Sequence, residues 1–112
     1  MSLPPIKKLN EDFSVCGQLW PEHFELLRAQ GTAALICNRP DGEEPGQPAA
    51  ADLERAATAA GLSFFHVPFA PANPSPTLLE DFSAALAEAP RPLIAFCRSG
   101  ARSERLLAVT QA

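Results

Sequence analysis

The chain is predicted to fold as an α/β domain, a mostly parallel sheet covered by helices on both faces. Two observations carry this. Short apolar runs (Ala33–Cys37, Ser63–Val67, Leu93–Phe96) alternate with segments of helical periodicity, and that order favours parallel strands joined by crossover helices. The runs Ala33–Cys37 and Leu93–Phe96 are also almost wholly apolar, as strands buried on both faces are.

Taken in order, Ile6–Asn10 and Phe13–Cys16 read as short strands near an edge, joined by a turn at Asn10-Glu11-Asp12. Pro21 suits the first turn of a helix, whose apolar face is Trp20, Phe24 and Leu27 at helical spacing, with Gly31 at its end. After the strand Ala33–Cys37 comes a loop, 38–48, with three prolines, two glycines and three carboxylates. Ala49–Ala60 is the second helix; Leu53, Ala56, Ala57 and Ala60 give it a small-residue face, and Gly61 follows it. Ser63–Val67 is the next strand and 68–76 a second proline-rich loop. Thr77-Leu78-Leu79-Glu80 has the pattern of a capping box. It opens a third helix with Leu78, Leu79, Phe82, Ala85 and Leu86 as its apolar face. Pro90 and Pro92 stop that helix before the strand Leu93–Phe96. The last helix, from Arg102, shows Leu106, Leu107 and Val109.

A length of 112 residues accommodates a single domain, 1–112. The net charge of −4 argues against a general nucleic-acid binder and against attraction to an anionic membrane surface. No apolar run approaches the roughly 20 residues of a membrane span. Nor is there the charged-then-apolar start of a signal peptide. Three widely spaced cysteines make no disulfide framework and fit a reducing, cytoplasmic setting. With no Cys-x-x-Cys pair and only two histidines, neither a metal nor another cofactor is expected.

The chemistry concentrates in Cys97-Arg98-Ser99-Gly100-Ala101-Arg102-Ser103. A cysteine between a buried strand and a helix start faces the positive end of the helix dipole and inward-pointing N–H groups. That setting stabilises a thiolate and cradles an anion. A buried core cysteine is the plain alternative, but two arginines and a glycine turn directly after it favour a reactive thiolate. Arg102 stands where a helix start disfavours cations, which makes sense if its side chain reaches back over a bound anion. Ligands of such sheets bind beyond the carboxyl ends of the strands. This places loops 38–48 and 68–76 at the rim of the Cys97 site.

These residues resemble the active-site loop shared by cysteine-dependent phosphatases and rhodaneses. Together with Phe13-Ser14-Val15-Cys16-Gly17-Gln18, Asn38-Arg39-Pro40-Asp41-Gly42-Glu43-Glu44-Pro45 and Phe65-His66-Val67-Pro68, they make the chain similar to a bacterial family. It is the protein-tyrosine-phosphatase-like domain also found in beta-lactamase-hydrolase-like proteins. The resemblance implies a cysteine-phosphatase-like fold and hydrolysis of a phosphate monoester through a phosphocysteine, with a small anionic substrate or a phosphoprotein as partner. It implies Cys97 as nucleophile, Arg102 as the bidentate oxyanion ligand, and an anion cradle of Arg98, Ser99, Gly100, Ala101 and Arg102. Ser103 would be the hydroxyl that bonds the thiolate and helps it leave, or else an ordinary helix-start serine.

The loop departs from the tyrosine-phosphatase pattern in having four residues, Arg98–Ala101, between cysteine and arginine where those enzymes have five. Four is the rhodanese spacing. A sulfurtransferase passing through a Cys97 persulfide is therefore the alternative, and relatives fused to a sulfur-oxidising metallo-hydrolase domain point the same way. A non-catalytic anion-binding or redox-sensing module is the third reading. Phosphatases also use a proton donor, and loop 68–76 has no carboxylate. Asp41 is the best substitute on the other rim loop, ahead of Glu43 and Glu44, unless Asp41-Gly42 is a plain turn. Asp81 reads as a helix first-turn acid and His66 as a structural histidine. Cys37 reads as a core thiol, with resolution of an oxidised Cys97 as the alternative. Arg39 either adds positive potential at the rim or pairs with Glu43 or Glu44, and Cys16 has no assigned role.

Overall fold

The computed structural model describes residues 2–111; Met1 and Ala112, which the expected domain 1–112 includes, lie outside the described residues. The chain opens with β1 (Ile6–Lys8) and β2 (Phe13–Cys16), and a 3-10 turn at Pro21–His23 leads into α1 (Phe24–Ala29). Then follow β3 (Ala34–Cys37), α2 (Ala50–Ala59), β4 (Ser63–His66), α3 (Leu78–Glu88), β5 (Leu93–Phe96) and α4 (Ala101–Thr110). The five strands form one sheet in the order β1-β2-β5-β3-β4. Only the hairpin β1–β2 is antiparallel; β2, β5, β3 and β4 run parallel. Both neighbours of β5 are in register with it, so Cys16 and Cys37 flank Phe96, one residue before Cys97.

Alternation of side chains along the strands sorts the core into two layers. Phe13, Val15, Ala34, Ile36, Leu93 and Ala95 face α3 and α4, against Phe82, Leu86, Leu106 and Leu107. Cys16, Leu35, Cys37, Ile94 and Phe96 face α1 and α2, against Phe24, Leu27, Leu53 and Ala57. Leu35 and Ile36 are fully buried; truncating either to alanine would cost about 2–5 kcal/mol. These layers hold the carboxyl ends of β2, β5 and β3 side by side beneath one group of loops.

Four local readings need correction. The first strand ends at Lys8 because Asn10 Oδ1 accepts the N–H groups of Asp12 and Phe13 at 2.8 and 2.9 Å, which turns the chain. Trp20 precedes the first helix and is half-buried, its N–H donating to Nδ1 of the buried His23 at 3.0 Å. Thr77 forms no capping box, since its hydroxyl donates to Asp81 Oδ2 at 2.9 Å. Leu79 and Val109 stand 47% and 55% exposed, outside the core that periodicity assigned them to. Gly31 and Gly61 follow α1 and α2 with positive φ, as expected.

Candidate active site

Cys97 leaves β5 fully buried, and its sulfur sits under the turn that starts α4. Gly100 N–H donates to Sγ at 3.1 Å. Burial alone would push this thiol up, but the backbone N–H groups of Ser103, Ser99, Gly100 and Arg102 outweigh burial and hold it below the ordinary thiol range. Cys16 has no such donor and Cys37 only one backbone hydrogen bond, at Arg39, so burial pushes them to about 12 and about 11. In the folded protein at mildly acidic pH, Cys97 is therefore expected to alkylate with iodoacetamide well before Cys16 or Cys37. Equal labelling of the three, read by peptide mapping, would contradict the thiolate.

The turn needs glycine at two places. Gly100 has φ of 97°, and a Cβ there would lie 3.1 Å from the Cys16 carbonyl oxygen. A Cβ on Gly17 would lie 2.9 Å from the Arg98 carbonyl oxygen. The end of β2 and the loop after β5 thus pack backbone to backbone.

Arg102 reaches back over the loop, 15% exposed. Its NH1 donates to Glu43 Oε2 at 2.8 Å and to the Phe69 carbonyl at 2.9 Å, and its NH2 donates to Glu43 Oε1 at 2.9 Å. Those bonds occupy one edge of the guanidinium. The Nε–H is not used by these partners, and the guanidinium also interacts with Cys97. Glu43 Oε1 also accepts from Arg39 Nε at 2.9 Å. Arg102, outweighing partial burial, and then Arg39 hold the Glu43 carboxyl down at about 2. Arg39, only 3% exposed, donates through NH1 to Gln18 Oε1 at 3.0 Å and through NH2 to Glu44 Oε1 at 2.7 Å. Of the two roles expected for Arg39, pairing is realised, with both glutamates.

Two candidate residues sit differently from expectation. The Ser103 hydroxyl donates to Asn38 Oδ1 at 2.8 Å, so its contribution to the thiolate comes from its backbone N–H. Asp41 Oδ1 accepts the Ala50 N–H at 2.8 Å, which commits the carboxylate to the start of α2. It is absent from the residues lining the mouth, a cavity of about 350 Å³ between loop 38–48 and the loop after β5, bounded by Arg39, Glu43, Glu44, Pro71, Arg98 and Arg102. Larger hollows of about 510 and 460 Å³ run along α3, and neither is lined by more than one arginine.

Sequence reasoning missed Asn38. Fully buried, it donates from Nδ2 to the Val67 carbonyl at 2.9 Å and from its N–H to the Phe96 carbonyl at 2.8 Å, besides accepting from Ser103. It fastens the ends of β3 and β5, the start of loop 68–76 and α4 to one another. The available signal was an amide directly after an apolar strand, where burial demands a full set of partners. His66 is structural, as expected, its Nε2–H donating to the Arg39 carbonyl at 2.9 Å.

A mostly parallel five-stranded sheet, with a donor-ringed thiol at the carboxyl end of its central strand and a helix leading away, is the fold of the cysteine phosphatases. The chain belongs to the family described as "Beta-lactamase hydrolase-like protein, phosphatase-like domain", whose match spans residues 5–112. It is 35% identical over 105 residues to the beta-lactamase hydrolase-like protein of Agrobacterium fabrum, covering 94% of this chain but 24% of that one. The chain thus spans about a quarter of the length of the curated relatives it matches. The crystal structure of a "putative phosphatase" from Neisseria meningitidis superposes with a TM-score of 0.82 at 32% identity, covering 95% of this chain and 75% of that one. A kinase associated phosphatase, solved with its catalytic cysteine replaced by serine, shares the fold at a TM-score of 0.72 and 16% identity, over 88% of this chain and 63% of that one. Among the described residues, no helix is long and apolar enough to cross a membrane.

Proposed function

We propose that this domain hydrolyses phosphate monoesters through a phosphocysteine on Cys97. The observation that carries the reading is the buried Cys97 sulfur facing the N–H groups of Ser99, Gly100, Arg102 and Ser103, with the Arg102 guanidinium interacting with it. A phosphoryl group lying in this cradle has its oxygens held by the main chain of Arg98, Ser99, Gly100 and Ala101 and by the Arg102 guanidinium. The thiolate attacks phosphorus, the P–O bond to the leaving oxygen breaks, and that oxygen takes a proton from water. A second water then attacks phosphorus and releases orthophosphate and the thiolate.

The proton donor is where the reading departs from the resemblance. Asp41 is committed to α2, and Glu43 and Glu44 are held ionised by their arginines. No mouth carboxylate is in a state to give a proton, which suits leaving groups that are already acidic. The alternative, sulfur transfer, is favoured by one observation, the four-residue loop Arg98–Ala101.

Rapid acid quenching during turnover of an activated aryl phosphate, followed by peptide mass spectrometry, tests the choice. A phosphoryl group on the Cys97 peptide is expected. Turnover with no such adduct, or a sulfur atom on Cys97 after thiosulfate treatment in a protein that turns over no phosphate ester, would overturn it.

A further inference from the structure

Two arginines of the mouth clamp a carboxylate that the cradle itself does not need. Glu44 Oε1 lies 2.7 Å from Arg39 NH2 and 3.5 Å from Arg98 Nε. We propose that this clamp is a second anion site, held by Glu44 and yielded to the substrate. Resting on the phosphatase reading, it identifies the substrate as a small phosphate compound with another anionic group beside the phosphoryl group, a diphosphate being the simplest.

The two glutamates are not equivalent. Glu43 receives three close N–H groups from Arg102 and Arg39 and is 26% exposed. It is part of the frame that sets Arg102. Glu44 has one close contact and one loose one and is 46% exposed. Ion pairs so open to water are weak, and an exposed glutamate side chain turns outward at little cost. Arg39, at 3% exposure, keeps Glu43 and Gln18 when Glu44 leaves, and its NH2 is then open to another anion. Both glutamates bind the same Arg39 guanidinium, so the second site adjoins the one governed by Arg102. That closeness matches neighbouring anionic groups on one small molecule.

Two further features agree. None of the six residues lining the mouth is aromatic, so no aromatic side chain there stacks on an aryl ring, while three arginines supply positive charge for anionic groups. A phosphate leaving group departs as an anion and needs no proton donor, which is what the mouth lacks.

The test is binding of inorganic orthophosphate and inorganic diphosphate to the Cys97→Ser chain by calorimetry at physiological ionic strength. Diphosphate is expected to bind about tenfold tighter, the scale of one added charge-assisted contact. Adding Arg98→Ala should shrink that ratio to about threefold or less, and adding Glu44→Gln should widen it. Arg55→Ala, which removes an equally exposed arginine from α2, controls for general charge and should leave the ratio unchanged. Orthophosphate binding with a ratio near one, or a ratio indifferent to Arg98→Ala, overturns the second site alone. Failure of both anions to bind overturns the cradle reading, and the second site with it.

Discussion

Exchanging Cys97 for serine should abolish phosphate-ester hydrolysis, a fall of about 10⁴–10⁶-fold in kcat, the scale seen when a nucleophile is removed. Serine fills nearly the same volume in this fully buried position and still accepts the Gly100 N–H, so the fold and the cradle survive. What is lost is ionisation. The ring of N–H groups from Ser103, Ser99, Gly100 and Arg102 brings a thiol below its ordinary range against the pull of burial. An alcohol starts far too high for the same donors to ionise it. Steady-state assays with an aryl phosphate, run beside calorimetry of orthophosphate, separate chemistry from binding. Residual turnover within about tenfold of the parent would remove Cys97 as the nucleophile.

Arg102→Lys should lower kcat/KM by about 10²–10³-fold, the usual loss for one preorganised oxyanion donor. The guanidinium does two things at once. It is fixed by Glu43 and the Phe69 carbonyl, and it also interacts with Cys97. An ammonium is a point charge that serves either Glu43 or the substrate, not both in a plane. Glu43→Gln is the companion, since it keeps Arg102 but loosens its aim, and it should cost less than Arg102→Lys. Because the Glu43 carboxyl falls to about 2 in the folded protein, its stabilisation is present above the unfolded carboxylate range and fades as pH falls towards that value. Arg102→Lys activity within about threefold of the parent would show that the guanidinium is not the phosphoryl ligand.

The sequence announces the loop at Cys97 because its chemistry is local. Thiol, glycine turn, arginines and helix start lie within Cys97–Ser103, and the order of strands alone brings loops 38–48 and 68–76 to the rim. Both do reach Arg102, through Glu43 and through the Phe69 carbonyl. The division of labour among Asp41, Glu43 and Glu44 is not local. These near neighbours sit on one tight turn, and which of them meets a helix start and which an arginine depends on where α2 and α4 stop in space. The Ser103 hydroxyl is a similar case, because its partner Asn38 is 65 positions away. Leu79 and Val109 show the limit of periodicity, which finds a helix face but not its edge; both line the outer hollow between α3 and α4.

The backbone contact at Gly17 and Gly100 has a consequence for how such a domain diversifies. Ser99 and Ala101 are exposed, while the cradle is written in main-chain N–H groups that every residue but proline carries. Its donors are therefore kept when Ser99 or Ala101 changes, and in the proposed chemistry they would receive one tetrahedral oxyanion much like another. Choice among anions falls to the Arg98 side chain and to residues 39–44 of a separate loop, which do not form the cradle. Drift in that loop can exchange one substrate for another while the reaction stays the same, so close relatives with identical cradles need not share a substrate.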